Sequence, residues 1–244
     1  MTSRTPVIIL AGGYGTRISE ETEIRPKPMV LLEGKPILWH LMNIYANQGF
    51  TDFIIATGYK HEVIDMWVDS NNRTNSWDFD GNVETIFTGL ETPTGGRVRQ
   101  IIESQSSDQF MMTYGDGLGN ISLTALQRFH NSHGRIATVT SVRPPARFGH
   151  IHSDNGVVTQ FGEKNQADVG WINGGFFVLN SEVVNYIRTD GPFEQTPMTD
   201  LVEKKELMTF QHFGFWQPMD TLREKKILEN LAKLPVPPWQ EISV

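Results

Sequence analysis

The sequence predicts an α/β fold with a Rossmann-like mixed, mostly parallel sheet flanked by helices and a smaller mixed α+β part. Two observations lead to this prediction. Short, fully apolar, β-branched runs recur in the first half and end at glycine, which is typical of parallel strands buried on both faces. Helical patterns follow these runs after short turns, and such alternation builds right-handed βαβ units.

The first half is predicted to contain five strands and four helices. Pro36 opens a helical pattern and Gly49 lies just past its end, which marks one helix clearly. The stretch Asp69–Gly81 is polar and aperiodic and is predicted to be a loop. The strands are Pro6–Ala11, Phe53–Thr57, Val83–Thr88, Phe110–Thr113 and Ile136–Val142, and the helices are Pro36–Gln48, Glu62–Val68, Arg97–Glu103 and Leu123–Asn131.

The pattern becomes more mixed after Pro144-Pro145. Short strands around His150 and Val157 flank Ser153-Asp154-Asn155-Gly156, which is typical of a hairpin turn. Further strands are predicted at Trp171–Leu179 and Leu207–His212. The last helix is predicted at Leu222–Leu234, with a capping box formed by Thr221 and Glu224.

Composition excludes several classes of protein. The 244 residues carry 21 Lys+Arg against 28 Asp+Glu, a formal net charge of −7, which argues against binding to a nucleic acid polymer. No apolar run approaches the roughly 20 residues of a membrane span, and the first residues do not resemble a secretory signal. There is no cysteine, so disulfides and thiol nucleophiles are excluded. We expect a soluble, cytoplasmic globular protein without a membrane partner.

The most informative motif follows the first strand directly. It reads Leu10-Ala11-Gly12-Gly13-Tyr14-Gly15-Thr16-Arg17, and its glycines allow the backbone N–H groups to approach an anion such as phosphate. Ligands of open α/β sheets bind at this end of a parallel strand. The motif is not a dinucleotide fingerprint, because Ile18 stands where that fingerprint needs glycine. It is not a Walker loop either, because no Gly-Lys-Ser/Thr closes it. The glycines alone leave open a plain tight turn with an exposed arginine.

A second cationic residue follows in a stiff segment. Pro26 and Pro28 flank Lys27 and restrict the backbone on both sides, so the lysine is presented from an extended connector. A rigid cation near a glycine loop suits a polyphosphate. Taken by itself, Lys27 could equally be an ordinary surface lysine.

These motifs resemble the sugar-1-phosphate nucleotidyltransferases, and within them the members that join CTP to glucose 1-phosphate. The resemblance extends from Val7 to about Trp239. It is carried by Leu10–Arg17 with Lys27-Pro28, and by Gly34–His40, Thr94–Arg97, Thr113–Gly117, Ile172–Phe177 and Gly214–Thr221.

The resemblance implies an enzyme that forms a CDP-sugar and pyrophosphate from CTP and a sugar 1-phosphate, with α-D-glucose 1-phosphate as the expected acceptor. An acceptor oxygen would attack the α-phosphorus in line, in a Mg²⁺-dependent step. The nucleophile is already anionic, so no covalent intermediate is needed and catalysis consists of positioning and charge neutralisation.

The resemblance also assigns roles to charged residues. Arg17 is expected to contact the departing pyrophosphate and Lys27 the reacting phosphates, and Asp116 and Asp220 are expected to hold Mg²⁺. From the residues alone, Asp116 could simply belong to a Gly-Asp-Gly turn, and Asp220 could be the N-cap of the last helix.

Two further sets of site residues follow from the same resemblance. The nucleotide is expected at Leu10, Ala11, Gly12, Gly13, Gly15, Thr16, Arg17, Lys27, Thr94, Gly95, Arg97, Thr113 and Gly115. The acceptor is expected at Glu163, Lys164, Asn173 and Gly174. Glu163-Lys164 could otherwise be a solvated strand end, and Gly174-Gly175 a β-bulge.

The chain is expected to be one nucleotidyltransferase domain, 1–244, with a nucleotide-binding part at 1–143 and an acceptor-binding part with the C-terminal helix at 144–244. We also expect a homo-oligomer.

The sequence departs from the family pattern at several places. The Asp69–Pro93 segment is short for the family, Asn165 stands where proline is usual, and His150 and His152 stand where smaller or aliphatic residues are expected. UTP or dTTP, another phosphomonoester acceptor, and a non-catalytic nucleotide-sugar sensor therefore stay open as alternatives.

Overall fold

The computed structural model describes residues 5–144, 149–154, 156–163, 170–188 and 191–242. Within these residues, the strands are β1 Val7–Ala11, β2 Leu31–Leu32, β3 Lys35–Pro36, β4 Asp52–Thr57, β5 Asn82–Phe87, β6 Gln109–Tyr114, β7 Gly117–Gly119, β8 Ala137–Val142, β9 Gly149–Asp154, β10 Val157–Glu163, β11 Ile172–Asn180, β12 Leu207–Gln211 and β13 Trp216–Pro218. The α-helices are α1 Ser19–Thr22, α2 Ile37–Ala46, α3 His61–Thr74, α4 Thr94–Ser104, α5 Leu123–His133, α6 Thr196–Glu203 and α7 Leu222–Ala232.

Seven strands form the central sheet, in the order β12-β8-β11-β6-β1-β4-β5. Strand β1 is parallel to both β4 and β6, β4 is parallel to β5, and β12 is parallel to β8. Strand β11 is the exception and runs antiparallel to β6 and β8. The predicted fold class, a mixed and mostly parallel sheet flanked by helices, is confirmed.

Alternation along β1 divides the core into two layers. Ile9 belongs to the layer that also contains Leu41 and Tyr45 of α2. Ile8 belongs to the opposite layer, with Val98 and further residues of α4. Every residue of β1 is buried, because successive side chains point to opposite faces and helices cover both of them.

Helices α3 and α4 differ most from their predicted limits. Helix α3 continues to Thr74, so the loop prediction is wrong for residues 69–74. Polar side chains hold this extension: the Asn72 amide donates to the Val83 carbonyl at 2.9 Å and accepts from the Trp77 indole at 2.7 Å. Helix α4 begins at Thr94, earlier than predicted, and contains Gly95 in its first turn.

A short pair of strands was not predicted, although it controls the geometry of the site. Strands β7 and β13 are antiparallel, with Pro218 opposite Gly117. The Met219 N–H donates to the Asp116 carbonyl at 2.8 Å. This pairing brings the segment around Asp220 next to the end of β6.

The second half of the chain shows one further difference and one agreement. Helix α6 was not predicted. Strands β9 and β10 pair as predicted, and Asn155 of their turn lies outside the described residues.

The predicted capping box of α7 is confirmed. Thr221 Oγ1 accepts from the Glu224 N–H at 3.2 Å, and Glu224 Oε2 accepts from the N–H groups of Thr221 and Asp220 at 3.0 and 2.8 Å. Thr221 is therefore the N-cap, and the alternative that assigned this role to Asp220 is wrong. No helix in the described part of the chain is sufficiently long and apolar to span a membrane.

The central strand provides a direct test of the packing. Ile9→Ala removes a fully buried side chain and should lower the free energy of unfolding by about 2–5 kcal/mol. Ile24→Ala is the matched control, because Ile24 is 70% exposed and its truncation should change the free energy by less than about 0.5 kcal/mol. Urea denaturation followed by circular dichroism measures both, and equal losses would contradict this packing.

Candidate active site

A cavity of about 1060 Å³ lies at the carboxyl ends of β1 and β6. Backbone of the glycine loop forms one wall, and the loop before α4 forms another. The predicted site residues that line it are Leu10, Ala11, Gly12, Gly13, Gly15, Thr16, Arg17, Lys27, Thr94, Arg97, Gly115, Asp116, Asn173 and Asp220. The structure thus brings together most of the residues that the resemblance assigned to the nucleotide and both that it assigned to the metal, with Asn173 from the acceptor set.

Four charged side chains meet in this cavity. Lys27 Nζ contacts Asp116 Oδ2 at 2.6 Å and Asp220 Oδ1 at 2.7 Å, and Arg17 Nη1 contacts Asp220 Oδ2 at 3.1 Å. Lys27 is nearly buried, with 11% of its side chain exposed, whereas Arg17 is 75% exposed. Two cations and two carboxylates therefore form a neutral cluster within hydrogen-bond distance.

The position of Lys27 comes from a local turn. It begins a 3₁₀ turn, Lys27–Met29, with Pro28 at its second residue. The prediction of an extended connector is therefore wrong at Lys27 and correct at Pro26, which is extended. Burial lowers the pKa of Lys27, but the adjacent Asp116 and Asp220 carboxylates outweigh burial and leave the pKa above its usual value. Lys27 is therefore charged at neutral pH.

The two aspartates suit a divalent cation that brings other ligands with it. Both carboxylates already accept from one ammonium group, so their oxygens can share one cation. No cluster of three or more acidic or histidine side chains with metal-binding geometry occurs in the described ranges. A Mg²⁺ ion takes about six oxygen ligands and commonly uses one or two carboxylates with phosphate oxygens and water.

The glycine loop has the tight geometry that its sequence predicts. Gly15 has a φ of +65°, and a Cβ there would lie 2.7 Å from the Thr22 methyl carbon. Around Gly13, by contrast, nothing would approach an added Cβ within 4 Å, so this part of the backbone is open. The loop therefore combines a fixed bend with an accessible stretch of backbone.

Arg97 binds the protein itself. Its guanidinium donates to the carbonyls of Thr57 at 2.9 Å and of Gly12 and Leu90 at 3.2 Å, and to Thr88 Oγ1 at 2.5 Å. Only 4% of the residue is exposed. Arg97 thereby ties the glycine loop to the end of β4 and to the loop before α4, which is a role that its predicted contact with the nucleotide did not include.

Comparison with known proteins identifies the family of this chain. The family model described as "Nucleotidyl transferase" matches residues 6–216. The chain belongs to the nucleotidyl transferase family.

Two relatives and one solved structure illustrate the similarity. The glucose-1-phosphate cytidylyltransferase of Salmonella typhi is 43% identical over 96% of this chain and 98% of the relative. The probable glucose-1-phosphate cytidylyltransferase of Bacillus subtilis (strain 168) is 41% identical over 91% of this chain and 93% of the relative. The crystal structure of HddC from Yersinia pseudotuberculosis matches with a TM-score of 0.69 at 24% identity, over 93% of this chain and 98% of that one.

Several predicted residues lie outside the cavity of this nucleotidyl transferase. Gly95 packs α4 against the Gly191 carbonyl, which would be 2.7 Å from an added Cβ. Thr113 is buried within β6. The Gly174 carbonyl accepts from the Trp216 indole at 2.8 Å, and the β11 register shifts between Asn173 and Phe177, in agreement with the bulge alternative.

The two remaining residues predicted to bind the acceptor, Glu163 and Lys164, lie at the C-terminal end of the β10 segment in the sequence. Glu163 is the last residue of β10, and Lys164 lies outside the described residues. Their assignment to the acceptor stays a prediction.

Sequence reasoning missed several polar residues at the cavity of this nucleotidyl transferase and one that bonds to its lining. Tyr14 and Glu91 both line the cavity, and the tyrosine hydroxyl donates to the carboxylate. Tyr114 donates to Glu194 at 2.7 Å. Tyr114 could have been found, because it lies between the predicted strand Phe110–Thr113 and Gly115-Asp116. Glu194 lies in a turn without any motif, so no sequence signal indicated it.

The role of Arg97 can be tested by stability. Arg97→Met removes the guanidinium that donates to three carbonyls and one hydroxyl, although the Gly12 and Thr57 carbonyls keep the N–H groups of Tyr59 and Thr88 as donors. We expect the free energy of unfolding to fall by about 1–3 kcal/mol. Arg128→Met is the control, because Arg128 is exposed on α5. Denaturant unfolding compares the two variants, and a loss no larger in Arg97→Met than in Arg128→Met would refute the role.

Proposed function

We propose that this enzyme joins CTP and a sugar 1-phosphate to give a CDP-sugar and pyrophosphate, with α-D-glucose 1-phosphate as the acceptor. The observation that carries the proposal is the meeting of Arg17, Lys27, Asp116 and Asp220 in one cavity. The identity to the cytidylyltransferase of Salmonella typhi over nearly its whole length supports CTP and glucose 1-phosphate as the substrates.

The charges in the cluster support a role in phosphate chemistry. The carboxylates currently neutralise Lys27 and Arg17, so a bound triphosphate would compete with Asp116 and Asp220 for these cations. We assign Lys27 to the reacting phosphates, because it is nearly buried and held rigidly. Arg17 is assigned to the leaving pyrophosphate, because its exposed side chain can follow the departing group.

A divalent ion would balance the negative charge that a bound triphosphate brings to the cluster, and nucleotidyltransferases of this family typically use such an ion. We propose Mg²⁺, held by Asp116 and Asp220. When bound, this ion would neutralise charge that accumulates on the phosphate oxygens. The protein itself would align the acceptor oxygen with the α-phosphorus and hold the cationic side chains in place, so a general base is unnecessary.

The two parts of the chain would then hold different substrates. The glycine loop, Thr94 and Gly115 are proposed to contact the nucleotide, in keeping with a nucleotide-binding part at 1–143. Asn173 is the described residue of 144–244 that we propose for the acceptor, because its amide lies at the same cavity. Assembly into a homo-oligomer stays a prediction.

Pyrophosphate release tests the proposed reaction. The wild-type chain is assayed with each of CTP, UTP, dTTP and GTP against a panel of sugar phosphates that includes α-D-glucose 1-phosphate. We expect the largest kcat/KM with CTP and glucose 1-phosphate. If pyrophosphate is released fastest with a different pair, that pair replaces CTP and glucose 1-phosphate as the proposed substrates. Nucleotide binding without pyrophosphate release from any pair would favour a non-catalytic sensor.

The two aspartates provide a sharper test of the mechanism. Asp116→Asn and Asp220→Asn should each lower kcat by about 10²–10³-fold, since each removes a charge that acts on the reacting phosphates. Asp69→Asn, at an exposed position of α3, is the control and should retain wild-type turnover. Circular dichroism checks that the variants are folded, and wild-type turnover in folded Asp116→Asn would contradict the mechanism.

A further inference from the structure

The Glu194 side chain joins two elements at the edge of the cavity. One carboxylate oxygen accepts from Tyr114 Oη at 2.7 Å, and the other accepts from Thr94 Oγ1 at 2.7 Å. Thr94 Oγ1 in turn accepts from the Phe193 N–H at 2.8 Å. The carboxylate therefore links the start of α4 to the end of β6.

The chemistry of these groups gives the hydrogen bonds a defined direction. An ionised carboxylate only accepts, so Tyr114 must donate to Glu194, and the tyrosine oxygen is left to accept. It accepts from Asn173 Nδ2 at 3.3 Å, while Asn173 Oδ1 accepts from the Gly175 N–H at 2.8 Å. Burial, followed by the effect of Glu194, raises the pKa of Tyr114, so its hydroxyl stays protonated.

The backbone provides space for this chain of contacts. Gly175 has a φ of +80°, and a Cβ at that residue would lie 2.6 Å from the Tyr114 ring. The ring also contacts Phe177 edge-on, with centroids 6.0 Å apart. Tyr114 is therefore packed against Gly175 and Phe177 of β11, and its hydroxyl lies next to Asn173.

We propose that Glu194 is a positioning residue for the acceptor: acting through Tyr114, it orients the Asn173 amide to bind a sugar hydroxyl. The inference rests on the proposed function and extends it to a residue outside the predicted site. In this orientation Asn173 keeps one N–H to donate and one carbonyl lone pair to accept, which suits a hydroxyl because a hydroxyl can do both.

The first experiment separates acceptor binding from nucleotide binding. Glu194→Ala removes the acceptor of both Tyr114 and Thr94. We expect the KM for glucose 1-phosphate to rise roughly tenfold, the scale of one lost hydrogen bond to a charged group, and the KM for CTP to rise less, because Thr94 keeps its contact with the Phe193 N–H. Glu203→Ala, at an exposed position of α6, is the control and should leave both KM values unchanged.

A double-mutant cycle tests whether the effect passes through Tyr114. Tyr114→Phe removes the hydroxyl that connects Glu194 to Asn173, and it should also raise the KM for glucose 1-phosphate. Since both changes break one chain of contacts, the double variant should resemble the more affected single variant instead of showing the product of the two effects. Multiplied effects, or an equal rise in the KM for CTP, would overturn the positioning role.

Wild-type turnover distinguishes failure of this inference from failure of the proposed function. If the wild type releases no pyrophosphate from any substrate pair, the proposed function is wrong and the acceptor role of Glu194 is wrong with it. If the wild type is active and the acceptor KM of Glu194→Ala equals that of the wild type, only the positioning role is wrong. Should the wild type prefer another sugar phosphate, the same comparison is made with that acceptor.

Discussion

The ammonium group of Lys27, lying between two carboxylates, is the interaction on which the site depends. Asp116 lies in the turn between β6 and β7 and Asp220 precedes the last helix, and the β7–β13 pair brings them together. Two carboxylates in such proximity repel each other unless a cation lies between them. The turn that begins at Lys27 provides this cation, so the site is assembled and neutral before any substrate arrives.

This arrangement connects the fold to the proposed chemistry. In the proposed function, phosphate oxygens would replace the carboxylates as partners of Lys27 and Arg17, and Asp116 and Asp220 would hold the divalent ion. Such an exchange would keep charges paired, which would reduce the cost of desolvating them. Hydrogen bonds further from the phosphates would fix the groups around them. Arg97 would hold the glycine loop through the Gly12 carbonyl, and Glu194 would hold Tyr114 on the side of the proposed acceptor site.

Local sequence signals predicted those elements that depend on neighbouring residues. The apolar runs of β1, β4 and β6 and the Thr221–Glu224 box of α7 were predicted correctly, because burial and capping are properties of short segments. The polar end of α3 was missed because tertiary contacts stabilise it. The β7–β13 pair and the turn that carries Glu194 were also missed, since both depend on contacts between distant residues. The charged site residues were anticipated from motifs, whereas the internal hydrogen bonds of Arg97 required the structure.

Binding of a paramagnetic ion tests the central claim most directly. Mn²⁺ can replace Mg²⁺ at oxygen sites and is visible by electron paramagnetic resonance. We predict that CTP causes the wild-type chain to bind one Mn²⁺ tightly, and that either Asp116→Asn or Asp220→Asn weakens this binding strongly while Asp69→Asn does not. Equally tight Mn²⁺ binding in the wild type and in both aspartate variants would contradict a shared cation site.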